Sequence, residues 1–457
     1  MPPTLKSLLG RRSGGDVVGL DIQPGLVAAV RATVNGAVVV QRAVVKPLAA
    51  DAVREGEVID RVVLGETLRD LFEGSGLGKR VRVGVANQRT VMRTLELPPM
   101  DDRKELAAAV NFQAQDQVPM PLANAVLDFH PLGVINTPDG PRERVVLVAA
   151  QRDMIESLLD AVRTAGLQPV GVDLSAFALI RSLYRPGAAD AGRVLYLNVD
   201  GLTNLAIADG PICSFTRVVG SGLEGMATQV AERRGIPLAA ARQLIAEFDL
   251  DAPAQPSHEV QAPPLPAPAR VQPEAEEDVA YAAEGDSGSR EPAVLVDDAS
   301  GPEHARDEQF AEGSELEGEA PVERESQSAA EHDAHEAEAS YAELVDMDDL
   351  EDEPAIFTQA SEEDIRAVVE NGIREIAGEV RNSLDFHRSQ EPAGEVVHVS
   401  LSGAALGING FAEALAAALD MDVRAERIPL ADKSVEGTLD ANRLAVAAGL
   451  ATLEAPR

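Results

Sequence analysis

A repeated pattern of three short strands constrains this sequence more than any other feature. The first copy begins with VVGLDI and turns at Asn35-Gly36, and the second begins with VLYLNV and turns at Asp209-Gly210. Asn-Gly and Asp-Gly pairs tolerate the positive φ angles that tight hairpin turns require. Helical periodicity follows each copy. We therefore predict a duplicated α/β core with a ligand cleft between its two halves.

The acidic charge of the chain is concentrated in one segment. The 457 residues carry a formal net charge of −36, and residues 252–354 hold 30 Asp and Glu against 4 Arg and no Lys. This segment also contains 11 prolines and little hydrophobic periodicity. Such a composition predicts a disordered acidic linker, because it cannot bury enough apolar surface to offset its chain entropy. The remainder has no basic stripe, so we expect no nucleic-acid binding.

Cysteine and histidine usage excludes some kinds of site. Cys213 is the only cysteine, which rules out an intramolecular disulfide, and its place in an apolar strand favours a buried, inert thiol. The acidic tract HDAHEAE, which begins at His332, is more typical of weak, nonspecific ion contacts than of a metal centre. No run approaches the ~18 apolar residues of a membrane span, and no signal peptide is visible, so we expect a cytoplasmic protein.

Changes in pattern along the chain predict its domain organisation. Between the two meanders, the order strand, helix, strand, strand, helix describes a small α+β module, whose first helix begins at Asp102 with the capping-box spacing to Glu105. After the acidic segment, apolar residues at helical spacing predict a long helix from Ser361. The predicted domains are a first core subdomain at 1–87, the module at 88–170, the first part of the second core half at 171–251, the linker at 252–354 and the C-terminal part of the second half at 355–457.

Several of these stretches resemble the PilM family of type IV pilus assembly proteins. The matching segments include VGLDI, LELPPM, VPMPLANAVLDF, FTRVVGSGLEGM, SLDFHRSQ and LSGAALGINGF, which follow one another in the family's order. The resemblance covers nearly everything except residues 252–354. It implies a duplicated actin-like, ribonuclease-H-like core, with the module corresponding to the extra subdomain that is also found in the division protein FtsA.

The resemblance also implies three nucleotide loops, of which the first departs from the family's Asp-Ile-Gly form. Here it begins with Asp21 and continues through Gln23 and Pro24 to Gly25. Gln23 stands where glycine would let backbone N–H groups approach a phosphate, and Pro24 has no N–H to donate. Ala28 aligns with the family's basic residue. Asp21 itself is kept and could hold a metal-bound water.

The second and third loops also depart from the family's nucleotide-binding form. In the second loop Asn198 replaces an aspartate, and Asp200 replaces a glycine and brings a carboxylate close to the phosphate position. The third loop keeps Ser402 and Gly403 but has Ala404 in place of the second glycine. The candidate nucleotide residues are Asp21, Gly25, Asn198, Gly201, Thr203, Ser402 and Gly403. We expect ATP with magnesium to bind weakly or not at all.

Three functions remain open from the sequence. The resemblance favours a non-enzymatic assembly protein that binds the cytoplasmic tail of a PilN-like membrane protein, near the junction of residues 88–170 with the first core subdomain. Such a protein would lie at the inner face of the cytoplasmic membrane through that partner. The alternatives are an ATPase or small-molecule kinase of the same fold, and a filament-forming protein like FtsA. Homo-oligomerisation is compatible with each of them.

Overall fold

The computed structural model describes residues 17–50, 52–186, 192–252, 355–390, 394–431 and 441–455. Of the acidic segment predicted to be disordered, every residue except Ala252 lies outside these ranges, as does the tract that begins at His332. Among the described helices, none combines the length and the apolar character needed to cross a membrane.

The strands and helices alternate in the order typical of an α/β protein. The strands are β1 (Val18–Gln23), β2 (Leu26–Asn35), β3 (Ala37–Pro47), β4 (Val53–Arg54), β5 (Glu57–Val58), β6 (Arg80–Val85), β7 (Val91–Leu97), β8 (Ala125–Thr137), β9 (Gly140–Gln151), β10 (Gln168–Leu174), β11 (Arg193–Val199), β12 (Thr203–Asp209), β13 (Ile212–Val219), β14 (Val396–Ser402) and β15 (Val423–Ala425). The helices are α1 (Arg61–Phe72), α2 (Arg103–Gln117), α3 (Arg152–Thr164), α4 (Ser175–Leu183), α5 (Leu223–Arg234), α6 (Leu238–Ala246), α7 (Ala355–Gln390), α8 (Phe411–Leu419) and α9 (Ala445–Leu450).

Two five-stranded sheets of the same topology confirm the predicted duplication. The first has the order β3-β2-β1-β6-β10, and the second has the order β13-β12-β11-β14-β15. In each sheet the first three strands form an antiparallel meander and the last two run parallel to its first strand. Gly36 and Gly210 have φ of 66° and 56°, so both predicted turns use a glycine in the left-handed region.

The helices α4 and α9 lie between the two sheets. They share one apolar cluster with β2 and β3 of the first sheet and with β12 of the second. Two glycines permit this close packing. A methyl group at Gly449 of α9 would overlap the carbonyl oxygen of Ala178 in α4, and one at Gly19 of β1 would overlap the carbonyl oxygen of Ala447. The outer faces of the sheets are covered by α1 and α3 in the first half and by α5, α6, α7 and α8 in the second.

The small module is a three-stranded antiparallel sheet with the order β7-β9-β8, covered on one face by α2. The Asp102 side chain accepts a hydrogen bond from the Lys104 backbone N–H at 2.9 Å, as an N-cap should.

The predicted boundary between residues 170 and 171 does not coincide with the packing of α3 and β10. The predicted module included α3, which instead packs with α1 on the first sheet. The strand β10, which we divided between the module and the second half, pairs with β6 of the first sheet. Helical spacing cannot tell which sheet an amphipathic helix covers, so the sequence left this boundary ambiguous. The start of the last long helix also differs, because α7 begins at Ala355 and not at Ser361.

Candidate functional site

The structure brings the three predicted loops together at the carboxyl ends of β1, β11 and β14. Ser402 donates a hydrogen bond to Asn198 Oδ1 at 2.9 Å, which joins the second and third loops. Gly403 has a φ of 103° and lies so close to Val199 that any side chain would overlap the Val199 carbonyl oxygen. Thr203 is fully buried at the start of β12. The seven predicted residues thus surround one region between the two halves.

The first and second loops are in direct contact across this region. A Cβ atom at Gly201 would lie 2.8 Å from the Pro24 carbonyl oxygen and 3.2 Å from its Cδ. Pro24 is itself buried. The proline that removes an N–H donor from the first loop therefore also occupies the space next to the glycine of the second.

Two buried carboxyl groups, one from each half, interact electrostatically in this region. Asp21 is 4% exposed and Asp200 is 2% exposed. Burial, and after it the negative charge of Asp200, raise the pKa of Asp21 from 3.8 to about 7, although hydrogen bonds from Gln23 and the Ile22 backbone act in the opposite direction. Asp200 has a cationic neighbour, because Arg443 Nη1 lies 3.4 Å from its Oδ1. The Asp21 carboxyl therefore takes up a proton near neutral pH.

Protein groups occupy the positions around the loops that could otherwise hold an anion. The N–H groups of Leu223 and Glu224, at the start of α5, donate to the carbonyl oxygens of Asp200 and Gly201 at 2.8 and 3.3 Å. The guanidinium of Arg242 lies against Gly25 and pairs with Glu224 at 2.5 Å. The helix terminus and the nearest arginine are thus engaged with the protein itself.

A second candidate site is a groove of about 610 Å³ beside the module, which we call the module groove. One wall is the face of the module sheet that points away from α2. Cross-strand register places alternate residues of β8 and β9 on this face. Those that line the groove are Val126, Asp128, His130, Val146, Val148 and Ala150.

The opposite wall of the module groove comes from both halves of the core. Phe177 and Ile180 of α4 and Ile212, the first residue of β13, supply apolar surface. The floor is charged, because Arg181 pairs with Asp173 at 2.5 Å and Arg82 lies beside them. The site therefore combines an apolar cleft with a few fixed polar groups, which is the usual character of a binding site.

The last described residues complete this groove. Arg82 is 7% exposed, and its Nη1 donates to the carbonyl oxygens of Leu450 and Thr452 at 2.7 and 2.8 Å. Burial lowers the pKa of this guanidinium, while the charge of Asp173 opposes that change. The segment so held carries Leu453 and Glu454 into the groove lining. Sequence reasoning missed these residues, since an arginine inside a strand of valines gives no local signal of its distant partners.

Two remaining kinds of site are a reactive thiol and a cluster of metal ligands. Cys213 is buried and free, and burial raises its pKa to about 12, which confirms the inert thiol predicted from its strand. Within the described ranges, no group of three or more His, Cys, Asp or Glu could hold a metal ion.

Comparison with solved structures supports the fold. The solved structure of a PilM-PilN type IV pilus biogenesis complex aligns with a TM-score of 0.61 at 17% identity, covering 96% of this chain and 98% of that chain. The ethanolamine utilization protein EutJ from Carboxydothermus hydrogenoformans aligns with a TM-score of 0.44 at 12% identity, covering 98% of this chain and 93% of that chain. MreB5 of Spiroplasma citri bound to ADP aligns with a TM-score of 0.40 at 10% identity, covering 95% of this chain and 94% of that chain. The fold, with its duplicated sheets, is actin-like.

The sequence of one part of the chain is similar to a protein family. The model of the family described as type IV pilus assembly protein PilM matches residues 19–194, from β1 to the start of β11. This range includes the whole module and most of the lining of the module groove. The matched residues make up less than half of the 457-residue chain.

Proposed function

We propose that this chain is a non-enzymatic assembly protein of a type IV pilus machine and that it binds the cytoplasmic tail of a PilN-like membrane protein in the module groove. The single observation that carries the proposal is this groove, which opens at the junction between the module and the core. The PilM-family match and the similarity to a PilM-PilN complex support the choice of partner.

The chemistry of the module groove suits a short peptide. Its apolar lining, from Val126 and Val148 on one side to Phe177 and Ile180 on the other, can bury aliphatic side chains. The strand β8 is an edge strand, so its outer backbone groups are also available to an extended chain. A docked tail would bury less area than a standard protein interface, so we expect a dissociation constant in the micromolar range, on the order of 10⁻⁶ to 10⁻⁵ M.

The loop geometry supports an assembly role over an ATPase role. An ATPase would need the first and second loops to separate around phosphate groups, whereas Pro24 packs against Gly201. It would also need a catalytic group aimed at the phosphate, and the one retained acid, Asp21, has a raised pKa and hydrogen-bonds to Gln23. A tail-binding protein needs neither of these features.

The proposed location follows from the partner. A chain that binds the cytoplasmic tail of an inner-membrane protein lies in the cytoplasm, at the inner face of that membrane. Its attachment would be peripheral and would depend on the tail.

The test is a titration of the full chain with a synthetic peptide of the tail, taken from the PilN-like protein encoded in a neighbouring reading frame. Val148→Arg places a long cation in the module groove next to Asp128, its cross-strand neighbour, which can pair with it and so preserve the fold. We expect this variant to weaken binding by about tenfold or more, because a charge enters an apolar site and the peptide is obstructed.

Phe112→Arg is the matched control. Phe112 is 67% exposed on α2, on the opposite side of the module sheet, and the substitution introduces the same charge. It should leave the affinity unchanged. The proposal would be rejected by a lack of saturable binding at peptide concentrations of about 1 mM, or by equal affinities of the wild-type and Val148→Arg chains.

A further inference from the structure

A second groove, with a volume of about 590 Å³, lies along the outer edge of β13. We call it the edge groove. It is lined by residues 216–221 of β13 and the following turn, by Gln88 and Thr90, and by four residues of α7. The proposed tail-binding role makes no use of this groove.

The edge of β13 forms the base of the edge groove. This strand is the last in the order of the second sheet, and no described strand pairs with its outer edge. Alternate backbone N–H and C=O groups of an edge strand point outward and are available to another strand. The helix α7 covers one face of the sheet, and the segment after β6 approaches the other face, so the edge lies between two walls.

The α7 wall is a continuous flank of the helix. Its lining residues, Glu375, Gly378, Glu379 and Asn382, have the i, i+3, i+4, i+7 spacing of one helical face. Glycine within a helix costs about 1 kcal/mol relative to alanine. A methyl group at Gly378 would contact nothing within 4 Å, so the fold itself does not require glycine there. Its effect is to leave room for a chain lying on the edge of β13.

Several polar atoms of the edge groove lack partners. The hydroxyl groups of Thr90 and Ser221 are buried and have no hydrogen-bond partner within the described part of the chain. Buried polar groups without partners are costly, and a bound chain would supply hydrogen bonds to them.

The charge of the lining is negative. Glu379 pairs with Arg217 at 2.9 Å, and this pair is partly exposed, with side-chain exposures of 34% and 44%. Exposed ion pairs contribute little to stability, so Arg217 can be displaced at low cost. Glu375 pairs with no cation among the described residues. Two carboxylates and one guanidinium therefore favour a basic side chain in the groove. Towards the start of β13, Phe215 packs on Phe386, whose 53% exposure offers apolar surface.

From these features we propose that the edge groove binds an extended, basic segment of a partner protein, which adds as a sixth strand beside β13. Backbone hydrogen bonds to residues 216–221 hold the segment. A lysine or arginine side chain reaches Glu375 and Glu379, and an apolar residue towards one end contacts Phe215 and Phe386.

The test uses two capped heptapeptides, one alternating lysine with valine and one alternating glutamate with valine, each titrated against the full chain. We expect the lysine peptide to bind with a dissociation constant of about 10⁻⁴ M and the glutamate peptide to bind at least about tenfold more weakly. Hydrogen exchange should slow at the amides of residues 216–221, because new strand hydrogen bonds protect them.

Gly378→Leu tests the location of binding. The leucine side chain would fill the edge groove, and we expect a loss of at least about tenfold in affinity for the lysine peptide. Ala367→Leu places the same side chain on an exposed, uncharged position of α7 outside the groove and should leave the affinity unchanged. Three results would each overturn the proposal: no saturation with the lysine peptide at about 1 mM, equal binding of the glutamate peptide, or full affinity in Gly378→Leu.

Discussion

The Asp21→Asn variant should be more stable than the wild-type chain at alkaline pH. In the folded chain the Asp21 carboxyl has a pKa of about 7 instead of 3.8. An acid whose pKa is raised by folding holds its proton in the folded state when the unfolded chain has already lost it. The associated stability is therefore fully present below the unfolded pKa and is lost as the pH rises through 7.

The magnitude follows from the two pKa values of Asp21, in the folded and in the unfolded chain. A difference of one between them corresponds to about 1.36 kcal/mol of unfolding free energy. The free energy of unfolding therefore falls by about 4 kcal/mol over the whole range, and more than half of this is lost between pH 5 and pH 8. Asparagine has the same shape and does not ionise. Its carboxamide can accept from Gln23 Nε2 and donate to Gln23 Oε1, a buried atom without a partner among the described residues.

Chemical denaturation of both chains from pH 5 to pH 9 measures this effect. All other titrating groups are shared, so the difference in unfolding free energy between Asp21→Asn and wild type should grow by about 2 to 3 kcal/mol from pH 5 to pH 8 and then level off. Asp21→Ala removes side-chain contacts and should be less stable throughout, with the same pH dependence of the difference. A difference that stays constant with pH would show that Asp21 is ionised at pH 5 and that the burial argument is wrong.

Two further predictions concern the nucleotide loops and the acidic segment. Calorimetry should show that ATP with magnesium binds weakly or not at all, because Pro24 removes an N–H donor and Asp200 adds a carboxylate. Losing two phosphate hydrogen bonds lowers the affinity by roughly 10² to 10⁴. Tight binding that is unchanged in a Gln23→Gly, Pro24→Ser, Asp200→Gly variant would show that these residues do not matter. Joining Asp251 to Ala355 with a short flexible linker should preserve cooperative thermal unfolding, because residues 252–354 have a composition that cannot form a core, and loss of cooperativity would show that they contain a folded domain.

The sequence was sufficient for the parts of the fold that depend on local pattern. Alternating apolar residues and the turns at Asn35-Gly36 and Asp209-Gly210 predicted both meanders, and helical periodicity predicted a helix after the second meander, where α5 lies. These features are decided by neighbours within a few residues of each other. The position of α3 was not predictable in the same way, since its amphipathic face fits either the module sheet or the first core.

The same distinction between local pattern and distant contacts applies to the candidate sites. The loops could be located because each follows a predicted strand and carries its own pattern, from Asp21 to Gly403. Neither groove could be located, because each is assembled from segments far apart in the chain. Arg82 and Thr452 are 370 residues apart, yet their hydrogen bond forms part of the module groove.

The segment 441–455 connects the loops to the module groove, and this connection affects how experiments on either are interpreted. At its start, the Asn442 carbonyl oxygen accepts a hydrogen bond from Gly403, and Arg443 contacts Asp200. At its end, Arg82 holds the residues that line the groove. Between them α9 is packed tightly against α4 and β1 through Gly449 and Gly19. Packed helices transmit displacements because interiors are close-packed. A loop variant that changes tail affinity therefore does not by itself demonstrate nucleotide binding, and titrations of both ligands must be made on every such variant.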